Sequence, residues 1–159
     1  MGVPVTDPAA SLARLKSTAR DLVALLGTAK GEDLAREPES GEWSPATVVA
    51  HLADAELVYG VRIRMILTGD RPYIPAYDER AWVRRFADLE VDVKDTLARW
   101  RSVREATVRV LESLEPDEWR LSGLHAERGE LTVAQVAALL AKHDTDHVAQ
   151  IRAGLATDD

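Results

Sequence analysis

Apolar residues recur with the helix period four times along this chain, and almost nothing in it alternates with the period of a strand. The sharpest case is "EWSPATVVAHLADAELVYGVRIRMIL". Ser44 can cap, and Pro45 fits the first helical position, where a missing N–H costs nothing. Val48, Leu52, Ala55, Tyr59, Ile63 and Ile66 then form one stripe that Gly69 ends. An earlier stripe follows Asp7-Pro8, through Leu12, Leu15, Ala19, Leu22 and Leu26 to Gly27. A third runs from about Leu89 to Leu114, through Val93, Leu97, Trp100, Val103, Thr107 and Leu111. The fourth starts at Thr132, with Gln135 as the other half of a capping box, and continues to about Leu155. Helices of roughly 20–25 residues span about 30–37 Å, the dimensions of a four-helix bundle. The fold class expected is therefore all-α. The prolines and glycine of "TGDRPYIPAYDERAWVRRF" indicate a long crossover between helices 2 and 3, with a short helix after Asp78.

A chain of 159 residues is most simply one domain, 1–159, with its core at about 8–155. The net charge of −7 opposes binding to phosphate backbones, so no nucleic-acid partner is expected. With no cysteine, disulfides, thiolate metal sites and a cysteine nucleophile are all excluded. The segment "MGVPVTDPAASL" lacks a basic stretch followed by an apolar one, and no apolar run approaches a membrane span. A cytoplasmic protein with no membrane partner is the expectation.

Near the end of the chain, "KHDTDHVAQI" sets His143 and His147 four residues apart. They continue the inner stripe Val133, Val136, Leu140, with Ile151 beyond, and lie about 40° apart around the axis. His51 sits on the Val48–Ala55–Val58 side of the second helix, again inward. A single inward histidine is usually an ordinary core residue. Three of the chain's four histidines on inner faces are harder to house, because buried protonated imidazoles repel and neutral ones need partners. A divalent cation held by neutral rings resolves both difficulties. A zinc-protease reading does not hold. Asp144 replaces the expected Glu and points about 100° from His143, and no His or Glu follows His147. Asp158 and Asp159 are expected in a frayed tail.

The set "WSPATVVAHLADAE" around His51, "YDERAW" at 77–82, and "GELTV…KHDTDHVAQI" resembles the DinB-like, damage-inducible superfamily, from about Leu12 to Leu155. The branch it resembles contains metal-dependent hydrolases and bacillithiol- or mycothiol-dependent S-transferases. That resemblance implies a four-helix bundle with a long crossover, a homodimer, and a divalent metal, zinc or nickel, held by His51, His143 and His147. The function expected is a metal-dependent enzyme on small molecules, a thiol S-transferase or hydrolase. The alternative is a non-catalytic stress-response protein with a structural or vestigial metal site.

Other residues carry two readings each. Asp54 and Asp144 could orient a ligating ring or be helix-surface charges, and Gln150 could line the cavity or face solvent. Asp78 could cap a helix or, with Tyr77, touch substrate. Trp43 and Trp82 could wall a pocket or fill core. Arg62 could meet an anionic cosubstrate or form a surface salt bridge. His125, expected in a glycine-rich loop, could reach the bundle mouth or stabilise its loop.

Overall fold

A computed structural model of the protein describes residues 6–89 and 92–156; Asp158 and Asp159 lie outside them. Four long helices form the bundle: α1 (Pro8–Gly27), α3 (Pro45–Thr68), α5 (Val93–Glu112) and α6 (Val133–Leu155). Shorter helices, α2 (Gly31–Ala35) and α4 (Glu79–Phe86), occupy the connections. Three of the expected starts form as capping chemistry dictates. Asp7 accepts from Ala9 N at 3.0 Å, and Ser44 from Thr47 N at 3.2 Å. Thr132 and Gln135 exchange both bonds of the capping box. The third helix starts later than expected, at Val93, because Asp92 accepts from Lys94 N and Asp95 N. Leu89 belongs to a short 3-10 turn instead.

Around the bundle the order is α1–α6–α3–α5, so α6 packs on α1 and α3, and α5 on the same two. The crossover from α3 to α5 contains α4, as expected. It also contains a strand that was not. β1 (Tyr73–Ile74) pairs in parallel with β2 (Ser122–His125), which pairs antiparallel with β3 (Gly129–Thr132). Strands of two to four residues are too short to show a period of two, so helix periodicity gave no hint of them. At Gly123 a Cβ would stand 2.7 Å from Ile74 Cδ1 and 3.0 Å from Pro72 O; the close approach of β1 requires glycine. The sheet ties the crossover to the α5–α6 connection.

Two apolar clusters fill the bundle. One gathers Leu15, Ile63, Ile66, Leu111, Val136 and Leu140, the other Leu22, Val48, Leu52, Trp100, Val148 and Ile151. On every helix the two sets are separated by polar inward positions: Thr18, Glu56, Arg104 with Thr107, and Asp144. The interior thus has a polar waist, and the histidines lie beside it.

Candidate metal centre

The caps set which residues of α3 and α6 face one another. Two turns into α3, His51 is 1 % exposed, and it meets His143 and His147 across the α3–α6 contact. Nε2 of His51 and Nε2 of His143 are 2.9 Å apart, and one ligand atom from each of the three rings lies within 4.8 Å of the others. Trp43, just before the cap of α3, covers this group, with its ring 5.1 Å from His51 and 6.4 Å from His147. Tyr59 stands 6.0 Å from the His143 ring.

The protonation of the rings follows from their surroundings. Burial, then the proximity of His143 and His147, lowers the His51 pKa to about 3. Burial and His143 also lower that of His147, against a smaller opposing effect of Gln150 and Glu79. With His147 Nδ1 2.8 Å from Gln150 Oε1, that nitrogen carries the proton, and Nε2 keeps its lone pair for the cluster. Neutral imidazoles whose lone pairs converge form a donor set suited to a divalent ion such as zinc or nickel.

Gln150 is thus joined to a histidine. Asp54 is not: among the described residues it makes no hydrogen bond to a ring, and burial raises its carboxyl pKa. Asp144 is no surface charge. It is 1 % exposed, and its Oδ2 accepts from Arg104 Nη2 at 2.6 Å, while Oδ1 lies 3.5 Å from His143 Nδ1. Arg104 also donates to Glu56 Oε2 from Nε (3.0 Å) and Nη2 (2.6 Å), and to Leu15 O from Nη1 (3.1 Å). One guanidinium on α5 therefore bonds α1, α3 and α6. Burial opposes its charge, but the two carboxylates outweigh that and raise its pKa.

Asp78 caps α4, accepting from Ala81 N at 2.9 Å. The next residue, Glu79, is the one that reaches the histidines, its Oε2 3.9 Å from His51 Nε2 and its side chain half exposed. Sequence reasoning passed over Glu79; the cap at Asp78, which places Glu79 in a first turn, was the signal. Among the described residues Arg62 forms no salt bridge. Its guanidinium is half-buried between Tyr59 (5.3 Å) and Tyr77 (5.8 Å) and donates to Pro75 O at 3.1 Å. Trp82 packs edge-on against Tyr77, and both line, with Arg62, Val58 and Asp78, a cavity of about 530 Å³. Neither that cavity nor one of about 560 Å³ beside Leu26, Leu34 and Arg101 has any of the three histidines in its wall. His125 lies on β2 rather than in a loop. It is buried and accepts from Glu127 N through Nδ1 at 3.2 Å, outside the three-histidine group.

A family model for the DinB superfamily matches residues 14–151. A relative from Oceanobacillus iheyensis, named "Putative metal-dependent hydrolase", is 28% identical over 127 residues, which is 80% of this chain and 73% of that one. A relative of the same name from Bacillus mycoides is 31% identical over 111 residues, 70% of this chain and 64% of its own. Among solved structures, YfiT from Bacillus subtilis superposes with a TM-score of 0.84 at 22% identity, covering 92% of this chain and 85% of YfiT. It is described as "a probable metal-dependent hydrolase with an unusual four-helix bundle topology". TT2238, a four-helix bundle protein, gives 0.67 at 21% identity, covering 92% and 99%. Both establish the four-helix-bundle fold.

Proposed function

We propose that this chain, which belongs to the DinB superfamily, is a metal-dependent hydrolase of a small molecule, with His51, His143 and His147 holding a divalent zinc or nickel ion. The observation that carries the reading is the convergence of three imidazoles, with Nε2 of His51 and His143 at 2.9 Å and no carboxylate among the three. Three histidines leave a coordination position open, as catalytic sites do and structural sites do not. A cation bound there supplies Lewis acidity, polarising a substrate oxygen and lowering the pKa of a bound water.

The chain's own groups complete the reaction. Gln150 fixes the His147 ring, and the Trp43 ring covers one side of the group. Glu79, at 3.9 Å from His51 Nε2 and open to solvent, is placed to accept a proton from an incoming water or thiol. A second reading, thiol S-transfer, uses the same residues. Because the chain has no cysteine, the sulfur would arrive on a cosubstrate such as bacillithiol or mycothiol.

The test is metal analysis of untagged protein after zinc and nickel supplementation, beside a His143→Ala/His147→Ala variant. About one ion per chain is expected in the native protein and none in the variant; a native chain that stays metal-free overturns the reading. Ester and amide substrates, assayed with and without the two thiols, then separate hydrolysis from transfer. Glu79→Gln should lower kcat by roughly 10²-fold or more at unchanged metal content.

A further inference from the structure

The proposed reaction leaves the chemistry of Arg62 unused. His51, Val58 and Arg62 fall within about 20° of one line along α3, with Arg62 roughly 16 Å beyond His51 by the helical rise. Helical side chains lean toward the N-terminus, so the guanidinium reaches back toward the histidines. The crossover runs over this row: Pro75 O accepts from Arg62 Nη2 at 3.1 Å, and Glu79 reaches His51 at 3.9 Å. Four residues of chain, spanning at most about 14 Å, thus connect the two ends. The cavity of about 530 Å³ lies at the Arg62 end of this row, with Val58, Arg62, Tyr77, Asp78 and Trp82 in its wall and the three histidines outside it.

Arg62 itself is under-used. Its Nε is buried and has no hydrogen-bond partner, and among the described residues no carboxylate lies within ion-pair distance. The guanidinium lies over the rings of Tyr59 and Tyr77 at 5.3 and 5.8 Å. Arg128 on the β2–β3 turn adds positive potential beside it, offset in part by Glu127. A half-buried arginine with free donors, held beside two aromatic rings, offers the fork that a carboxylate or similar oxyanion accepts.

We propose that Arg62 is the anion-recognition end of the substrate pocket, selecting small molecules that carry a carboxylate or comparable oxyanion at the end remote from the reacting bond. This rests on the metal-dependent reading above, and it makes Arg62 a specificity residue rather than a catalytic one.

The test uses full-length protein loaded with cobalt and two series of hydroxamates, which bind the metal through one end. The monohydroxamates of succinic, glutaric, adipic and suberic acid end in a carboxylate; simple hydroxamates of matching length end in methyl. At one length or more, the carboxylate-ended probe should bind about 10- to 100-fold more tightly, as charge-assisted hydrogen bonds give. Arg62→Gln should erase that preference while leaving cobalt content, the cobalt visible spectrum and the methyl-ended affinity unchanged. Arg62→Lys, which keeps the charge without the fork, should retain part of the preference. Equal binding of both series by cobalt-loaded native protein overturns this inference alone, as does a preference that survives Arg62→Gln. Failure to bind cobalt overturns the metal reading and this one with it.

Discussion

Two polar clusters interrupt the core side by side, on consecutive residues of α6, and they close in opposite ways. Asp144 turns to Arg104, which also holds Glu56, and the charges meet within the chain at 2.6 Å. His143 turns to His51 and His147, where every group is an imidazole, the pKa values of His51 and His147 are lowered, and no acid belongs to the set. Both clusters are buried, so burial of polar atoms does not by itself mark a functional site. Counter-charge separates them, although Glu56 Oε1 in the triad is buried without a hydrogen-bond partner. The triad supplies its own counter-charge and joins four helices, whereas the three imidazoles bring together ligand atoms that could hold a cation from outside. Formally the triad keeps one surplus negative charge. Asp144 Oδ1, 3.5 Å from His143 Nδ1, brings that charge next to the place where a cation would sit.

The largest effect should come from breaking the charge-paired cluster. Arg104→Met leaves two carboxylates facing each other in the core and should cost about 3–5 kcal/mol of unfolding free energy, read from urea denaturation. Metal-free His143→Ala should change stability by less than about 2 kcal/mol, since it removes a ring with no counter-charge to strand. If His143→Ala costs as much as Arg104→Met, the two regions do not differ as argued. Replacing Glu56, Arg104 and Asp144 together by apolar residues should recover most of the loss, because no charge then remains unpaired.

The histidines were legible because helix periodicity places them: stripes on α3 and α6 put His51, His143 and His147 on inner faces whatever their partners. The caps at Asp7, Ser44 and Thr132 were legible for the same local reason. The triad was not, since Arg104 meets Glu56 and Asp144 at separations of 48 and 40 residues, and no local pattern encodes such pairs. Its trace was present all the same. Arg104 lies four residues after Trp100, Glu56 four after Leu52, and Asp144 four after Leu140, each a charge at core spacing. Asp144 read as a surface charge only while its partners were unknown. Glu79 and β1 belong to the crossover, whose path is set by pairing with β2 rather than by its own pattern.

Acid should expose the other cluster. In the metal-free chain His51 stays neutral down to about pH 3, while in the unfolded chain it takes up a proton near 6.5. Its contribution is therefore fully present above the unfolded value and is lost as pH falls toward the folded one. Between pH 7 and 5 the loss is about 2 kcal/mol, and His147 adds to it in the same direction. Urea midpoints at the two pH values measure it, and His51→Leu should flatten the slope. A native slope no steeper than that of the variant would show that the rings are not held neutral by the fold.

The smallest effect isolates the histidines from the triad. Asp144 cannot serve for this, because its two oxygens face both clusters. Gln150 can: it is exposed, and its hydrogen bond in the described structure goes to His147 Nδ1 at 2.8 Å. Gln150→Leu removes the acceptor that fixes which nitrogen carries the proton. It should weaken zinc or nickel binding about tenfold, about 1.4 kcal/mol, by competition against a chelator of known affinity. Gln150→Glu, which keeps an acceptor in reach, should retain wild-type affinity. In metal-free protein the Leu variant should match wild-type stability within about 0.5 kcal/mol, as an exposed position allows. Equal losses in both assays would mean that Gln150 braces α6 and that His147 does not depend on it. A loss confined to the metal assay ties the orientation of the ring to the ion rather than to the bundle.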